Sequence, residues 1–386
     1  MDSPAGLAGL RACGGTNSSN SNDREALNDR KFLPYDVVAR EDISPTAFVL
    51  TVRLSSGTKA TQKLTRSRMN DAWAHGLWSV EVKQPQLQIA RDYTPLPEVY
   101  ATHTESAGES DDDTTLRLFV RVVPGGEVTK YLSRKTVGST IELRGPHPSF
   151  DVVARLGDKS DKSRALVENE PKKMIILAGG TGVATALQAV DAALRASPTV
   201  SISLLWANRQ ANDCYGLNAG PLPAELNPVV RDIRALQALY GSHRLQVQTF
   251  VDAERTFITE AHVRKAIGGS DRKNSWFTSW RKGEPEAGKT PEASGADGSC
   301  IYHSQKKLTQ MHADPLRNRH DGKAACSCAE GKNLVLVSGP DGFIEAWAGP
   351  KAWQAGKERQ GPVGGILGQI LNQDPQTLSK WQVLKL

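Results

Sequence analysis

From Phe32 onward the apolar positions fall in short runs separated by turn residues: Tyr35 to Val38, Phe48 to Leu54, Leu77 to Val82, Leu116 to Val123 and Thr140 to Leu143. Runs of this length, without long helical stretches between them, predict an antiparallel barrel or sandwich. From Lys172 the pattern changes. Met174 to Ala178 is continuously apolar, as a parallel strand buried on both faces requires, and a helical period follows through Ala193. Val200 to Trp206 and Leu245 to Val251 read as further strands, Val229 to Tyr240 and Ile258 to Ile267 as helices, and Leu334 to Val337 as another buried strand. Strands alternating with helices predict a parallel sheet with crossover connections.

These changes of character divide the chain. Residues 1–31 are poor in apolar side chains and are expected to be disordered. Residues 32–154 form the barrel domain, with a solvated acidic loop around Asp111, Asp112 and Asp113. Residues 155–171 are charged and aperiodic and read as a linker, and 172–386 form the α/β domain. Within that domain, residues 268–332 are dense in Gly, Lys, Ser, Glu and Asp; a stretch this long without a pattern predicts a disordered surface insertion carrying no catalytic residue.

Composition narrows the function. A chain of 386 residues has room for two domains. Its net charge of +6 favours acidic partners such as nucleotide phosphates, an anionic membrane surface or an acidic protein. No basic run is interleaved with aromatics, which argues against nucleic acid. Five cysteines, odd in number and unevenly placed, argue against a disulfide framework. Cys300, His303, His312, His320, Cys326 and Cys328 lack the regular spacing of a zinc knuckle, so no metal site is expected. No run reaches the roughly 18 apolar residues of a spanning helix. The first 22 residues show neither a signal-peptide core nor an arginine-rich amphipathic presequence, and therefore give no targeting signal.

Three motifs carry candidate chemistry. Met174-Ile-Ile-Leu-Ala-Gly-Gly-Thr-Gly-Val-Ala-Thr185 runs from a buried strand through a glycine turn into a helix. Gly179, Gly180 and Gly182 would let a phosphate approach the backbone, and the helix would aim its free N–H groups and positive end at the anion; a plain strand-to-helix turn is the alternative. In Arg91-Asp-Tyr-Thr-Pro-Leu-Pro97 an extended chain places Arg91 and Tyr93 on one face. Arg91 would then pair with a pyrophosphate, Tyr93 lie against a flavin ring and Thr94 bond its polar edge; the alternative is a surface strand ending in prolines. Gly125-Gly-Glu-Val-Thr-Lys-Tyr-Leu132 reads either as a second phosphate cradle or as a hairpin turn leading into a short helix.

In order and spacing these runs resemble the ferredoxin–NADP⁺ reductase superfamily, especially its cytochrome b5 reductase branch. Arg91-x-Tyr93-Thr94-x-x-Pro97 resembles the family's flavin motif, and Gly126-x-Val128-Thr129-x-x-Leu132 its pyrophosphate turn. Gly138 to Pro146 looks like the run that closes its barrel, and Gly179 to Thr185 like its nicotinamide-nucleotide turn. The resemblance implies an N-terminal antiparallel FAD-binding β-barrel of about six strands, followed by a parallel-sheet nucleotide-binding α/β domain of about five, strand numbers typical of such architectures. It implies FAD as cofactor, NADH or NADPH as reductant, and a one-electron acceptor. Arg91, Tyr93, Thr94, Gly126, Val128 and Thr129 are then the expected flavin contacts, and Gly179, Gly180, Thr181, Gly182, Gly339 and Pro340 the nicotinamide contacts.

Two positions depart from the family pattern. Thr185 stands where the family has a proline opening the helix, and Ser338 stands for the cysteine beside the nicotinamide. Ser338 and Thr94 are the residues expected at the reacting centre. The C-terminal text, including Ser338 to Phe343 and Gln360 to Gly365, is similar to a fungal mitochondrial flavoprotein subgroup that assists cytochrome c import and haem attachment. That likeness implies a mitochondrial location at the inner membrane or intermembrane space, and cytochrome c or a haem-attachment enzyme as partner. It also admits a weakly active or non-enzymatic flavin-fold scaffold.

Overall fold

The computed structural model describes residues 24–98, 114–156, 171–217, 226–268, 333–354, 357–373 and 380–386. The acidic loop, the cysteine–histidine run and nearly all of the expected insertion lie outside these residues.

The front half is a seven-stranded antiparallel sheet of β1 (Leu33–Ser44), β2 (Ala47–Leu54), β3 (Trp78–Gln84), β4 (Ile89–Tyr93), β5 (Pro95–Leu96), β6 (Thr115–Arg121) and β7 (Thr140–Pro148). The strand order is β4-β3-β7-β1-β2-β6-β5. The two edge strands, β4 and β5, are consecutive in the chain and separated by Thr94 alone. Tyr93 pairs with Val80 on one side and Pro95 with Leu118 on the other. The sheet therefore curls on itself, and Thr94 is the corner where its edges meet.

A helix interrupts the expected run of strands. α1 (Lys59–His75) lies between β2 and β3, capped by Thr58, whose hydroxyl accepts from the Thr61 N–H. Its buried positions are Thr61, Thr65, Met69 and Ala72. A buried face with two threonines, an alanine and one large apolar residue leaves little apolar period to read, so the cap and the Gly76 stop are the clearer signals.

The N-terminal expectation also needs correction. Ala26 and Leu27 are fully buried, and Leu27 packs in the barrel core with Leu33, Tyr35 and Trp78. Arg68 donates to the Leu27 carbonyl at 2.7 Å, and the Leu27 N–H donates to the Thr65 hydroxyl at 3.1 Å. The ordered domain thus begins before residue 31. One apolar pair in a polar stretch carries too little pattern to show this. Leu27→Ala is expected to cost about 2–5 kcal/mol of stability, read from the urea midpoint; an unchanged midpoint would mean that this segment does not belong to the core.

The rear half is a five-stranded parallel sheet, ordered β10-β9-β8-β11-β14. Its strands are β8 (Lys173–Gly179), β9 (Ser201–Asn208), β10 (Leu245–Val251), β11 (Asn333–Ser338) and β14 (Trp381–Lys385). The chain winds outward from β8 through β9 to β10 and returns to β11 on the other flank of β8. The direction of winding reverses there, and a crevice opens at the carboxyl ends of β8 and β11. The remaining helices are α2 (Glu127–Ser133), α3 (Val152–Leu156), α4 (Val183–Ala196), α5 (Pro228–Tyr240), α6 (Glu260–Ile267), α7 (Asp341–Ala348) and α8 (Gly365–Asn372), with a small hairpin of β12 (Ala352–Gln354) and β13 (Lys357–Arg359). α3 runs across the expected start of the linker at 155, and its residues Val152 and Leu156 are buried.

The largest apolar cluster belongs to neither half alone. Ala47, Val49, Leu77, Leu96 and Phe119 of the barrel pack with Leu187, Val190, Ile176 and Ile233 of the α/β half. Buried ion pairs reinforce this seam. Arg117 of β6 donates to both oxygens of Asp232 on α5, at 3.0 and 2.9 Å, and Arg121 lies 2.8 Å from Asp213. Burial pushes the Asp232 carboxyl up to about 6, outweighing the pull of Arg117. Between 3.8, the ordinary value, and about 6, the folded state therefore keeps a proton that the unfolded chain has lost. Raising the pH through this window costs stability, and above it the dependence on this group ends. In Asp232→Asn this component disappears, so the stability difference from the parent should shift between pH 4 and 6 and then level off. A difference constant across that window would contradict the assignment.

Candidate functional site

The site forms where the barrel corner meets the opening of α4. β8 ends at Gly179, and a single tight turn over Gly180–Gly182 leads into α4. Gly180 has φ +54°, and a Cβ there would meet nothing within 4 Å, so its outer side is open. Gly182 is closed in on its inner side: a Cβ there would lie 2.6 Å from the Ser338 carbonyl carbon and 2.8 Å from the Gly339 nitrogen. Gly339, at φ +153°, lies with its Cβ direction 3.1 Å from the Gly179 backbone. Bare backbone thus packs on bare backbone where β8 and β11 end. Gly179, Gly180, Thr181, Gly182, Ser338, Gly339 and Pro340 are brought together there.

Two residues not singled out in the sequence hold this turn. The Trp206 indole N–H, buried at the end of β9, donates to the Gly180 carbonyl at 2.9 Å. The Phe343 ring on α7 packs on Gly179, 3.0 Å from where a Cβ would be. The Gly180 carbonyl also accepts from the Val183 N–H, so the turn is closed from two sides. Trp206 gave no motif-level signal; it reads as one more apolar residue in a buried strand.

On the barrel side, Arg91 is exposed on β4, and its guanidinium donates to the adjacent Ala90 carbonyl at 2.7 Å. Among the described residues it forms no ion pair. Tyr93 shares that face and packs against the barrel core; burial pushes its phenol up, with the Arg91 charge acting against the shift. α2 packs on β3 and β4, which brings the turn before it to the same end of the barrel. Gly125 has φ +77° and open space at its Cβ direction.

Two expected flavin contacts are placed differently from a simple reading. Val128 is 2% exposed and belongs to the core, so its side chain is directed away from any ligand. The Thr129 hydroxyl donates to the Gly126 carbonyl at 2.9 Å and accepts from the Val123 N–H at 3.2 Å. Its one proton closes its own turn, so a phosphate at this end would meet the backbone N–H groups of α2 first.

Thr94 joins the two halves. Its hydroxyl lies 3.2 Å from that of Thr185, on the first turn of α4. One turn later the buried Gln188 amide is used at both ends: its oxygen accepts from the Trp78 N–H at 3.0 Å, and its nitrogen donates to the Pro95 carbonyl at 2.9 Å. The barrel corner and the helix of the glycine turn are thereby held in one register.

An exposed arginine beside a half-buried tyrosine, two open glycine turns and a free helix end fit an elongated diphosphate ligand with a flat ring system. They offer cationic and N–H donors for the phosphates and an aromatic edge for the ring. No group of acidic, histidine or cysteine side chains suited to a metal ion is present among the described residues.

Residues 77–152 match the oxidoreductase FAD-binding domain, a range that contains β3 to β7 and the Thr94 corner. Over 91% of its length the chain is 24% identical to the cytochrome c mitochondrial import factor of Saccharomyces cerevisiae, covering 83% of that protein. It is also 28% identical, over 33% of its length, to NADH-cytochrome b5 reductase 1 of Ajellomyces capsulatus, spanning 34% of that protein. Among solved structures, the cytochrome b5 reductase domain of Ulva prolifera nitrate reductase is similar over 62% of this chain and 83% of that one, at 19% identity and a TM-score of 0.38. The chain thus carries a match to an FAD-binding oxidoreductase domain over residues 77–152 and is similar to cytochrome b5 reductases and to the import factor.

Proposed function

We propose that this protein is an FAD-dependent oxidoreductase that passes electrons from NADH or NADPH to a one-electron acceptor, a haem or a cytochrome, in mitochondrial cytochrome c maturation or import. The observation that carries the reading is the corner at Thr94 and Thr185, 3.2 Å apart, which brings the strand of Arg91 and Tyr93 against the helix that opens at the Gly179–Gly182 turn. FAD, when bound, accepts a hydride from the nicotinamide and releases its electrons one at a time.

The chain's own residues do the positioning. Arg91 and the N–H groups opening α2 hold the flavin diphosphate. Tyr93 lies against the ring and Thr94 at its polar edge. The N-terminus of α4, left open beside Gly180, receives the nicotinamide-nucleotide phosphate. Ser338, 3% exposed, backs the place where the two rings meet; it fills the space of a cysteine without the polarisable sulfur. The continuous apolar seam keeps water away from the inner side of the cleft. The mitochondrial setting and the cytochrome partner rest on likeness to the import factor. Among the described residues no helix is long and apolar enough to cross a membrane.

An anaerobic visible spectrum tests the reading. The purified protein should be yellow, or become so with added FAD, and should bleach on addition of NADH or NADPH. A protein that stays colourless in excess FAD overturns the proposal. One that holds FAD but bleaches with neither nucleotide is a flavin-fold scaffold that acts by binding a partner.

A further inference from the structure

We infer that Thr185 is a positioning residue for the flavin edge: from the first turn of α4 it sets the direction in which Thr94 presents its hydroxyl proton. The inference rests on the proposed flavin reading and extends it to a residue of the other half of the molecule.

Thr94 has little conformational freedom. Its neighbours are paired on both sides, Tyr93 to Val80 and Pro95 to Leu118, because the sheet closes at this residue. The backbone is therefore fixed, and the choice left to the side chain is where its single proton goes. A hydroxyl has one proton to give and two lone pairs to offer. The contact at 3.2 Å with the Thr185 hydroxyl uses one of these three.

Thr185 has no more freedom than Thr94. It lies three residues before Gln188 on the same helical face. Gln188 is 1% exposed and bonded at both ends to barrel backbone, to Trp78 and to Pro95. α4 cannot slide or roll against the barrel without breaking those bonds, so the contact between the hydroxyls is imposed by the packing of the two halves.

The proton arrangement that serves a flavin edge follows. If Thr185 donates to Thr94, the Thr94 proton is released to the cleft, and a hydroxyl that is accepting is also the better donor. A donor at the polar edge of the ring favours the electron-rich, reduced form. Thr185 then raises the flavin potential without touching the flavin. A valine in its place has the same shape and lacks the proton, so Thr94 would be free to turn its own proton toward the cleft or away from it.

The test measures the midpoint potential and visible spectrum of bound FAD in Thr185→Val, Thr185→Ser and Thr94→Val, and in the double variant. Thr185→Val should retain FAD, with its potential moved to a more negative value. Thr185→Ser, which keeps the hydroxyl, should stay at the parent value. The double variant should move no further than Thr94→Val alone, because Thr185 acts through Thr94. A parental potential and spectrum in Thr185→Val overturns the inference. So does an equal shift in Thr185→Val and Thr185→Ser, which would mean that helix packing and not the hydroxyl is responsible. Should Thr185→Val fail to fold, Thr185→Ala against Thr185→Ser decides the same question. A parent protein that binds no FAD sinks the functional reading itself, and this shows before any variant is made.

Discussion

Gly182→Ala is expected to destabilise the protein by about 3 kcal/mol or more, the upper end of the usual cost of overpacking. The added carbon would lie 2.6 Å from the Ser338 carbonyl carbon and 2.8 Å from the Gly339 nitrogen, closer than real carbon contacts come. Both obstacles are main-chain atoms at the end of β11, inside a parallel sheet, and neither can rotate aside. The comparison with Gly180→Ala makes the prediction specific. Gly180 has the unfavourable φ of +54° but open space around its Cβ direction, so it should lose only about 1 kcal/mol. Gly182 has φ −58°, ordinary for alanine, yet should lose far more. Urea unfolding of both variants gives the order, and equal losses would show that β8 and β11 do not meet as closely as described. The same variant should also respond poorly to NADH and NADPH, because the opening turn of α4 would be pushed out of place.

Arg91→Ala separates ligand binding from folding. Arg91 is exposed, and its hydrogen bond goes to the neighbouring Ala90 carbonyl. Stability of the FAD-free protein should therefore change by no more than about 0.5 kcal/mol. Its affinity for FAD should fall about ten- to a hundredfold, the equivalent of losing one charge-assisted contact of about 1.5–3 kcal/mol. Arg91→Lys should fall between the two, since an ammonium keeps the charge and loses the two-pronged fork. Fluorescence titration of FAD-free protein at fixed ionic strength reads this directly. Unchanged affinity in Arg91→Ala would remove Arg91 from the site and weaken the assignment of the whole β4 edge.

The two outcomes bear on different kinds of legibility. The Arg91–Tyr93 pairing on one face follows from the two-residue period of a strand and was readable locally. The glycine turn after β8 was readable too, because a continuous apolar run ending in Gly179-Gly180 and followed by a helical period has few other solutions. The Gly182 contact was not, because its partner, Ser338, lies at the end of a strand more than 150 residues later. α1 was missed because its buried face is made of Thr61, Thr65, Met69 and Ala72, in which a single large apolar residue gives too little of the hydrophobic contrast that marks a helix. Leu27 was missed because one buried side chain in a polar segment has no period at all. Trp206 and Gln188 were unreadable for a third reason: each looks ordinary in its own element, and its role is set by an atom on another one.

What the amino-acid order determined by itself is therefore local and periodic: a β-rich front half, an alternating rear half, a glycine turn between a buried strand and a helix, and a strand edge carrying an arginine and a tyrosine. These follow from backbone geometry and the spacing of apolar residues, which act over a few positions. The tertiary structure decided that the sheet closes at Thr94, that the main apolar core runs across both halves, and that Thr185 and Gln188 clamp the corner to α4. The Thr185 and Gln188 contacts join residues about ninety or more positions apart. Hydrophobic burial has no direction, so it says which residues go inside but not which partner each one meets. Only the packed chain, with each buried donor and acceptor given a mate, selects among the arrangements that burial alone would allow.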